Sequence, residues 1–438
     1  MAKSFDAVKK FDVIVVGAGP AGSMAALKLA RESFSVCLLE RGKLPGSKNM
    51  FGGLLHNTPV LNEMFPDFWQ AAPLERHVYK KVLSFMTPDS AVSMTFDNES
   101  FDQPPYNGAT VFRPVFDNWL AQQAVSAGAL LLCDCTVEDV IHEEGRIAGV
   151  TIKGRAGELR SNVVIAADGV LSFVARKAGI RNDLKSADMG VGIKLLLGLP
   201  EETINERFHL VRDQGADISF LGAAGDIRGG GFLYTNHAAI SVGLVMHLES
   251  LKVSGKAPYD VLNEFLQHPH VSRLVKGAVP LEYSAHLIPE GGYKAVPPLY
   301  TDGLLVAGDA AGLCYTNGIN LEGINLAMTS GVLAAQTAIE AINAKDYSAQ
   351  TLSAYKTKLD SSFVLKDMKT FKNSAGMMHL DRLYRSYPRV FSNIMEKLYK
   401  VEGKPRPRLL KLFRKEALKE VGLANLISDG FKIGRSLL

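Results

Sequence analysis

The sequence predicts an α/β fold: a Rossmann-like βαβ unit at its start, a β-sheet second domain, and a basic helical end. Three observations predict it. The apolar run Asp12–Val16 meets Gly17-Ala18-Gly19-Pro20-Ala21-Gly22, and helical periodicity follows. Residues 186–300 hold runs of β-formers, Val191–Leu197 and Ala239–Met246 among them. From about residue 346 onward, apolar residues recur at helical spacing among lysines and arginines.

Each element of the first unit has a physical reason. Val13, Ile14 and Val15 form a continuous apolar run, the pattern of a strand buried on both faces. The helix after it carries Met24, Leu27 and Leu29 on and beside an Ala-rich face. A second strand, Ser35–Leu39, ends at Glu40-Arg41. Gly17 permits a tight turn, Gly19 lets the backbone approach a pyrophosphate, and Gly22 lets the helix pack closely on the strand. The helix N-terminus offers N–H groups and a positive dipole end to phosphate, and Glu40 can accept both hydrogen bonds of a ribose diol. These features predict a dinucleotide site.

Two later strand ends distinguish between dinucleotides. Val163–Ala167 runs into Asp168-Gly169, with Ser172 and Arg176 beyond. Leu304–Ala307 runs into Gly308-Asp309 and a helix start. An Asp at such a strand end can bind a polyol hydroxyl, and a helix N-terminus can hold negative charge on a reduced flavin ring. Together the three segments resemble the glutathione-reductase-type FAD proteins, in the branch shared by aromatic hydroxylases and electron transfer flavoprotein (ETF):quinone oxidoreductases.

Composition narrows the class further. Apolar residues are 47% and charged residues 21%, values of an ordinary globular protein, which exclude disordered and fibrous chains. No stretch of about 18 apolar residues exists, and the N-terminus lacks the apolar core of a signal peptide, so neither a spanning helix nor secretion is predicted. The four cysteines, Cys37, Cys133, Cys135 and Cys314, include no C-x-x-C, so this chain alone builds no zinc or ferredoxin-type site. Cys133 and Cys135 are placed on a strand Cys133–Val137, and Cys314 reads as a small packed side chain. Charge is uneven: residues 361–438 carry 17 Lys/Arg against 7 Asp/Glu, and residues 1–360 carry 32 against 38. A basic end on an acidic body suits lipid headgroups or an acidic protein; no recognisable nucleic-acid module accompanies it.

Four more segments carry a narrower resemblance: Gly46–Gly53, Val111–Leu120, Gly229–Asn236 and Glu282–Gly292. With them the chain resembles the FixC (EtfC) family over nearly its whole length. The resemblance implies an FAD-dependent oxidoreductase that passes electrons to membrane quinone, menaquinone for example. It implies work inside an electron-bifurcating complex, in which NADH is oxidised at an ETF flavin and ferredoxin or flavodoxin is also reduced. The implied partners are FixA/FixB-like ETF subunits and a small FixX-like ferredoxin subunit that carries the iron–sulfur cluster. The absence of any cysteine after Cys314 agrees with that split arrangement, since single-chain relatives carry the cluster themselves. The implied location is cytoplasmic, peripheral on the inner face of the cell membrane.

By the same resemblance, Gly17, Gly19, Pro20, Ala21 and Gly22 hold the pyrophosphate, and Glu40 with Arg41 holds the adenosine ribose. Lys48, Asn49, Gly52 and Gly53 pass near the flavin ring, Arg113 contacts FAD, and Val137 meets the adenine through its backbone. Asp168 and Gly169, with Gly308 and Asp309, serve the ribityl–phosphate region, and Gly318, Ile319, Gly323 and Ile324 face the pyrimidine end. Phe232, Tyr234, Tyr283 and His286 are candidates for a quinone pocket, which needs apolar walls and donors to the carbonyl oxygens. No acid–base residue is assigned, because the flavin carries the redox chemistry.

The expected divisions are an FAD-binding part over 1–185, a β-sheet quinone domain over 186–300, an FAD-binding return over 301–345, and a helical docking region over 346–438. Asp168-Gly169 with Ser172 and Arg176 also fits a flavin monooxygenase, and a geranylgeranyl-reductase-like isoprenoid reductase is a second alternative. The Gly229-Gly230-Gly231-Phe232 and Glu282–His286 segments favour the FixC type over both.

Overall fold

The computed structural model describes residues 9–48, 52–154, 157–403, 405 and 407–437. Its first sheet is built around strands Lys9–Val16 and Glu158–Ala166, paired in parallel. Val36–Leu39 and then Leu130–Leu132 extend it on one side, Leu304–Val306 and Tyr300–Thr301 on the other. Val13–Val15, Val163–Ile165 and Leu304–Val306 are fully buried, as their unbroken apolar runs require of strands covered on both faces. Helices Pro20–Arg31 and Ile324–Ala344 lie against each other over this sheet.

The register decides where the chemistry lies. Val16 pairs with both Leu39 and Ala166, and Ala166 pairs with Val306. The four strands therefore stop in line. The turns that follow them, at Gly17, Glu40, Asp168 and Asp309, open along one carboxyl edge, where open α/β sheets bind ligands.

The second sheet runs in the order Val279–Pro289, Met189–Gly198, Ala239–His247, Gly229–Thr235, Gln214–Leu221, His77–Met86, Gly108–Phe112 and Gly52–His56, with Ala91–Asp97 beside His77–Met86. One face carries Ile193, Leu195, Leu197, Ile218, Phe220 and Val242 into a core shared with helix Pro258–Gln267. The other face looks toward the first sheet. Four of these strands come from residues 52–112, inside the stretch assigned on sequence to the FAD-binding part. Strand His77–Met86 pairs in parallel with Gln214–Leu221, a pairing that no local pattern announces.

Two local expectations differ from the structure. Residues 133–136 are not a strand, because Asp134 takes a left-handed conformation (φ 51°) that breaks the extended run. The helix expected at Asp309 is a single 3-10 turn, Gly308–Ala311; the long helix starts only at Ile324.

The C-terminal region is helical, ending in Ser386–Tyr399, Leu409–Glu420 and Leu423–Leu437. Val390, Ile394, Leu412, Ala417 and Val421 form a small core of their own. The fully buried Asp429 accepts from Arg382 Nε at 2.7 Å and Nη2 at 2.6 Å, and from the Tyr387 hydroxyl at 3.1 Å. Asp429→Asn keeps the shape but removes the charge facing a guanidinium, and is expected to cost about 1–3 kcal/mol locally. Hydrogen exchange should then quicken across residues 423–437 and leave the first sheet unaffected. Leu409, Leu410, Phe413, Leu423, Ile427 and Phe431 remain exposed on these helices. Among the described residues no helix is long and apolar enough to cross a membrane.

Candidate functional site: two adjoining cavities

Two cavities meet between the sheets. The first, about 360 Å³, follows the carboxyl edge of the first sheet. Of the residues singled out from sequence, Gly17, Gly19, Pro20, Ala21, Glu40, Arg41, Lys48, Val137, Asp168, Gly169 and Gly308 line it. The second, about 350 Å³, lies under the second sheet, against Gly52, Gly53, Phe232, Tyr234, Gly318, Ile319 and Gly323. Arg113, His286, Asp309 and Ile324 border both, so the two are continuous.

The glycine turn is built as its sequence requires. Gly17 has φ 101°, and a Cβ there would lie 2.3 Å from the Ala167 carbonyl oxygen. Gly19 is the N-cap of helix Pro20–Arg31, with no side-chain cap, and a Cβ on it would meet nothing within 4 Å. The first N–H groups of that helix therefore face open space at the cavity wall. Gly22 does not line the cavity. It sits beneath the turn, where a Cβ would come 1.8 Å from the Gly17 carbonyl oxygen, so it serves the packing of helix on strand.

Glu40 is buried (8% exposed); its Oε2 accepts the Ala18 N–H at 3.1 Å and its Oε1 the Gly42 N–H at 2.6 Å. Each oxygen keeps a lone pair for a ligand. Asp168 Oδ2 accepts the Val174 N–H at 2.9 Å, while Oδ1 is buried with no partner among the described residues. Burial pushes the Asp168 carboxyl up to about 6, against the pull of its backbone donors and Arg181. Arg113 pairs bidentately with the fully buried Asp117, at 2.8 Å on each arm. Burial opposes the Arg113 charge, but Asp117, with Asp309 beyond it, more than offsets this and raises its pKa. Burial drives Asp309 up and His286 down, toward a neutral pair, although each favours charge on the other.

Lys194 escaped the sequence reading, because a single lysine within Val191–Leu197 carries no local signal. In the structure it is buried (2% exposed) on the wall of the second cavity. Its ammonium donates to the Gly52 carbonyl and lies 5.2 Å from the Phe232 ring centroid and 5.7 Å from that of Tyr234. Burial, with Arg113 adding repulsion, lowers its pKa to about 7. Phe232 and Tyr234 stack at 5.0 Å along one face of their strand.

Two candidates fall elsewhere. Tyr283 lines neither cavity; it is 43% exposed and packs edge-on against Tyr259 at 5.5 Å. The cause is strand parity: Tyr283 pairs with Leu195, which points into the opposite core, whereas Ser284 pairs with Lys194. Asn49 lies outside the described residues.

Comparison with known proteins shows which family the chain resembles. Residues 12–181 match the family model for FAD dependent oxidoreductases, and residues 374–438 match the ETF-QO/FixC family C-terminal domain. The chain is 41% identical to the probable electron transfer flavoprotein-quinone oxidoreductase YdiS of Escherichia coli, over 97% of this chain and 98% of that one. It is 38% identical to protein FixC of Bradyrhizobium diazoefficiens, over 98% and 99%. Among solved structures, a geranylgeranyl bacteriochlorophyll reductase-like protein from Thermoplasma acidophilum superposes with TM-score 0.72 at 21% identity, over 96% of this chain and 99% of that one. That likeness establishes the fold. With relatives matched end to end at such identity, and with residues 12–181 and the C-terminal helices each matching a family model, the chain belongs to the FixC/ETF-quinone oxidoreductase family of FAD-dependent oxidoreductases.

Proposed function

We propose that this protein passes electrons from a partner electron transfer flavoprotein to a membrane quinone. The observation that carries the reading is the continuity of the two cavities through Arg113, His286, Asp309 and Ile324. A group held along the first cavity meets a substrate held in the second without either leaving the protein.

The residues of the first cavity fit FAD. The open helix N-terminus at Gly19 suits the pyrophosphate, Glu40 the adenosine ribose, and Val137 the adenine. Asp168 Oδ1 is a buried acceptor that lacks a donor, as a polyol hydroxyl would supply. Asp309 and Gly308 stand at the junction, with Gly52, Gly53, Gly318, Ile319, Gly323 and Ile324 around the ring end. Bound FAD supplies reversible one- and two-electron chemistry.

The second cavity suits a quinone head. Phe232 gives an apolar wall, and Lys194, Tyr234 and His286 bring donors to the carbonyl oxygens. Buried donors aimed at an oxygen that gains electrons favour the reduced product. The expected setting is an NADH-oxidising, electron-bifurcating complex that also reduces ferredoxin or flavodoxin. FixA/FixB-like subunits deliver electrons there, and a FixX-like subunit bears the iron–sulfur cluster. The basic C-terminal helices, with Leu410 at 81% and Phe431 at 79% exposure, suit peripheral contact with the cytoplasmic face of a membrane.

The test is anaerobic. The purified flavoprotein is photoreduced and mixed with a soluble menaquinone analogue; separately, NADPH is added to the oxidised form. Fast reoxidation by quinone, with no bleaching by NADPH, is the expected result. Bleaching by NADPH followed by peroxide or hydroxylation in air refutes the reading.

A further inference from the structure

The second cavity has an end that the proposed quinone chemistry leaves unused. It is lined by Arg228, His247, Glu290, His379 and Tyr384. His379 is exposed, and its ring lies edge-on to the buried His247 with centroids 4.6 Å apart. His247 Nε2 lies 3.0 Å from the Ala187 carbonyl, which can only accept, so that nitrogen carries the proton. In the neutral ring Nδ1 is then a bare acceptor, and it is buried without a partner among the described residues.

Glu290 is the next group inward. Gly190 pairs with His247 across the antiparallel ladder, so their side-chain positions share one face. The Glu290 carboxyl fills the position of the missing Gly190 side chain: its Cδ lies 2.4 Å from where a Cβ would stand. Glu290 is thus beside His247. Beyond it, its charge reaches Cys314, as does that of Asp309. These titratable groups therefore line one cavity together, with His379 exposed and Asp309 at the junction with the first cavity.

These groups answer a chemical need, an argument that rests on the quinone reading above. Two electrons that arrive singly from a protein partner bring no protons. Reduction of the quinone to quinol, Q + 2e⁻ + 2H⁺ → QH₂, forms two O–H bonds; over a full turnover both protons come from bulk water, and when the flavin is already reduced, whichever proton it does not carry must still come from there. We propose that His379, His247 and Glu290 form the proton-uptake route of this enzyme, carrying protons from solvent to the quinone cavity.

The electrostatics agree with that geometry. Surrounding protein pushes the Glu290 carboxyl up to about 7, so it can both hold and release a proton near neutrality. Tyr384 and Cys314 feel its charge, and burial drives both of them up, leaving them protonated. Burial lowers His379, as do His247 and Arg228, while Asp188 and Glu249 oppose this. The balance favours the neutral form of the exposed ring.

Three measurements on the FAD-loaded protein test the route. Reoxidation of the photoreduced flavin by the soluble quinone is followed by stopped flow between pH 6 and 9, in wild type, Glu290→Gln and His379→Gln. Glu290→Gln is expected to slow it about tenfold or more and to erase the inflection near pH 7, while Glu290→Asp restores part of both. His379→Gln, on the surface, is expected to slow it several-fold and to recover with added imidazole. Independently of turnover, the pH-difference infrared spectrum should show a protonated carboxyl band that titrates near 7 and is missing from Glu290→Gln. If wild type turns over quinone and Glu290→Gln matches it in rate and pH profile, the route is wrong and the quinone reading stands. If no quinone reoxidises the wild type, the quinone reading falls and takes the route with it.

Discussion

Gly22→Ala is expected to leave little folded, flavin-containing protein, whereas Gly19→Ala, three residues earlier, is expected to fold normally and lose only the flavin. The contrast follows from what each Cβ would meet. At Gly22 the new methyl lies 1.8 Å from a backbone carbonyl, that of Gly17, which no rotamer change can move. Helix Pro20–Arg31 must lift away from a strand whose Val13–Val15 are fully buried. Overpacking of this kind costs about 1–3 kcal/mol or more, a large share of a typical folding free energy. At Gly19 the backbone is extended (φ −79°, ψ −173°), and the methyl enters open space. That space is where a pyrophosphate would lie, so the loss falls on binding. Flavin content, read as the ratio of visible to protein absorbance, and the melting temperature of the apoprotein separate the cases. Both variants should lose flavin; only Gly22→Ala should lower the apoprotein's melting temperature. A Gly19→Ala protein that retains its flavin would count against placing the pyrophosphate there.

The second large effect concerns Lys194 and has a definite sign. Its pKa falls from an unfolded value near 10.4 to about 7 in the fold, because burial penalises the ammonium. Between those two values the unfolded chain binds the extra proton and the folded chain does not. Stability gained through this residue therefore rises as pH rises from about 7 toward 10, by up to about 1.4 kcal/mol per pH unit. Below about 7 both states are protonated, and the fold carries the full penalty of a buried charge. Lys194→Met removes the titration while conserving much of the volume. Urea denaturation of the apoproteins from pH 6 to 9 should show a wild-type curve that climbs above pH 7 relative to the variant. Parallel curves would mean that Lys194 does not titrate in this range. The same substitution should slow quinone reduction, since it deletes a donor from the cavity wall.

Much of the first sheet was legible because its signals are local. Apolar runs that stop at Gly17, Glu40, Asp168 and Asp309 announce strand ends, and parallel strands in register bring such ends together. Tyr283 shows a clue that was present and not used. It stands three residues from His286, and a regular strand turns residues at that spacing to opposite faces, so the two could not share a pocket. Lys194 shows a clue that was absent: a lysine in an apolar run acquires meaning only when pairing sets Phe232, Tyr234 and Gly52 around it. Glu290 likewise needed Gly190 and His247 from two other strands. The division of the chain was hardest to read, since His77–Met86 reaches its parallel neighbour Gln214–Leu221 across more than a hundred residues.

The interleaving of the two sheets also governs how the protein is born. The glycine turn is complete once residue 22 has been made, but Asp309, on the neighbouring edge of the same cavity, emerges nearly three hundred residues later. At the usual pace of translation that gap lasts roughly 15–60 s. From residue 166 onward, about half of that gap, the nascent chain holds Lys9–Val16 and Glu158–Ala166 without Leu304–Val306, the strand that flanks the pair. A ribosome-bound fragment therefore presents a half-built cradle, and firm capture of the cofactor becomes a sign that synthesis has run almost to its end.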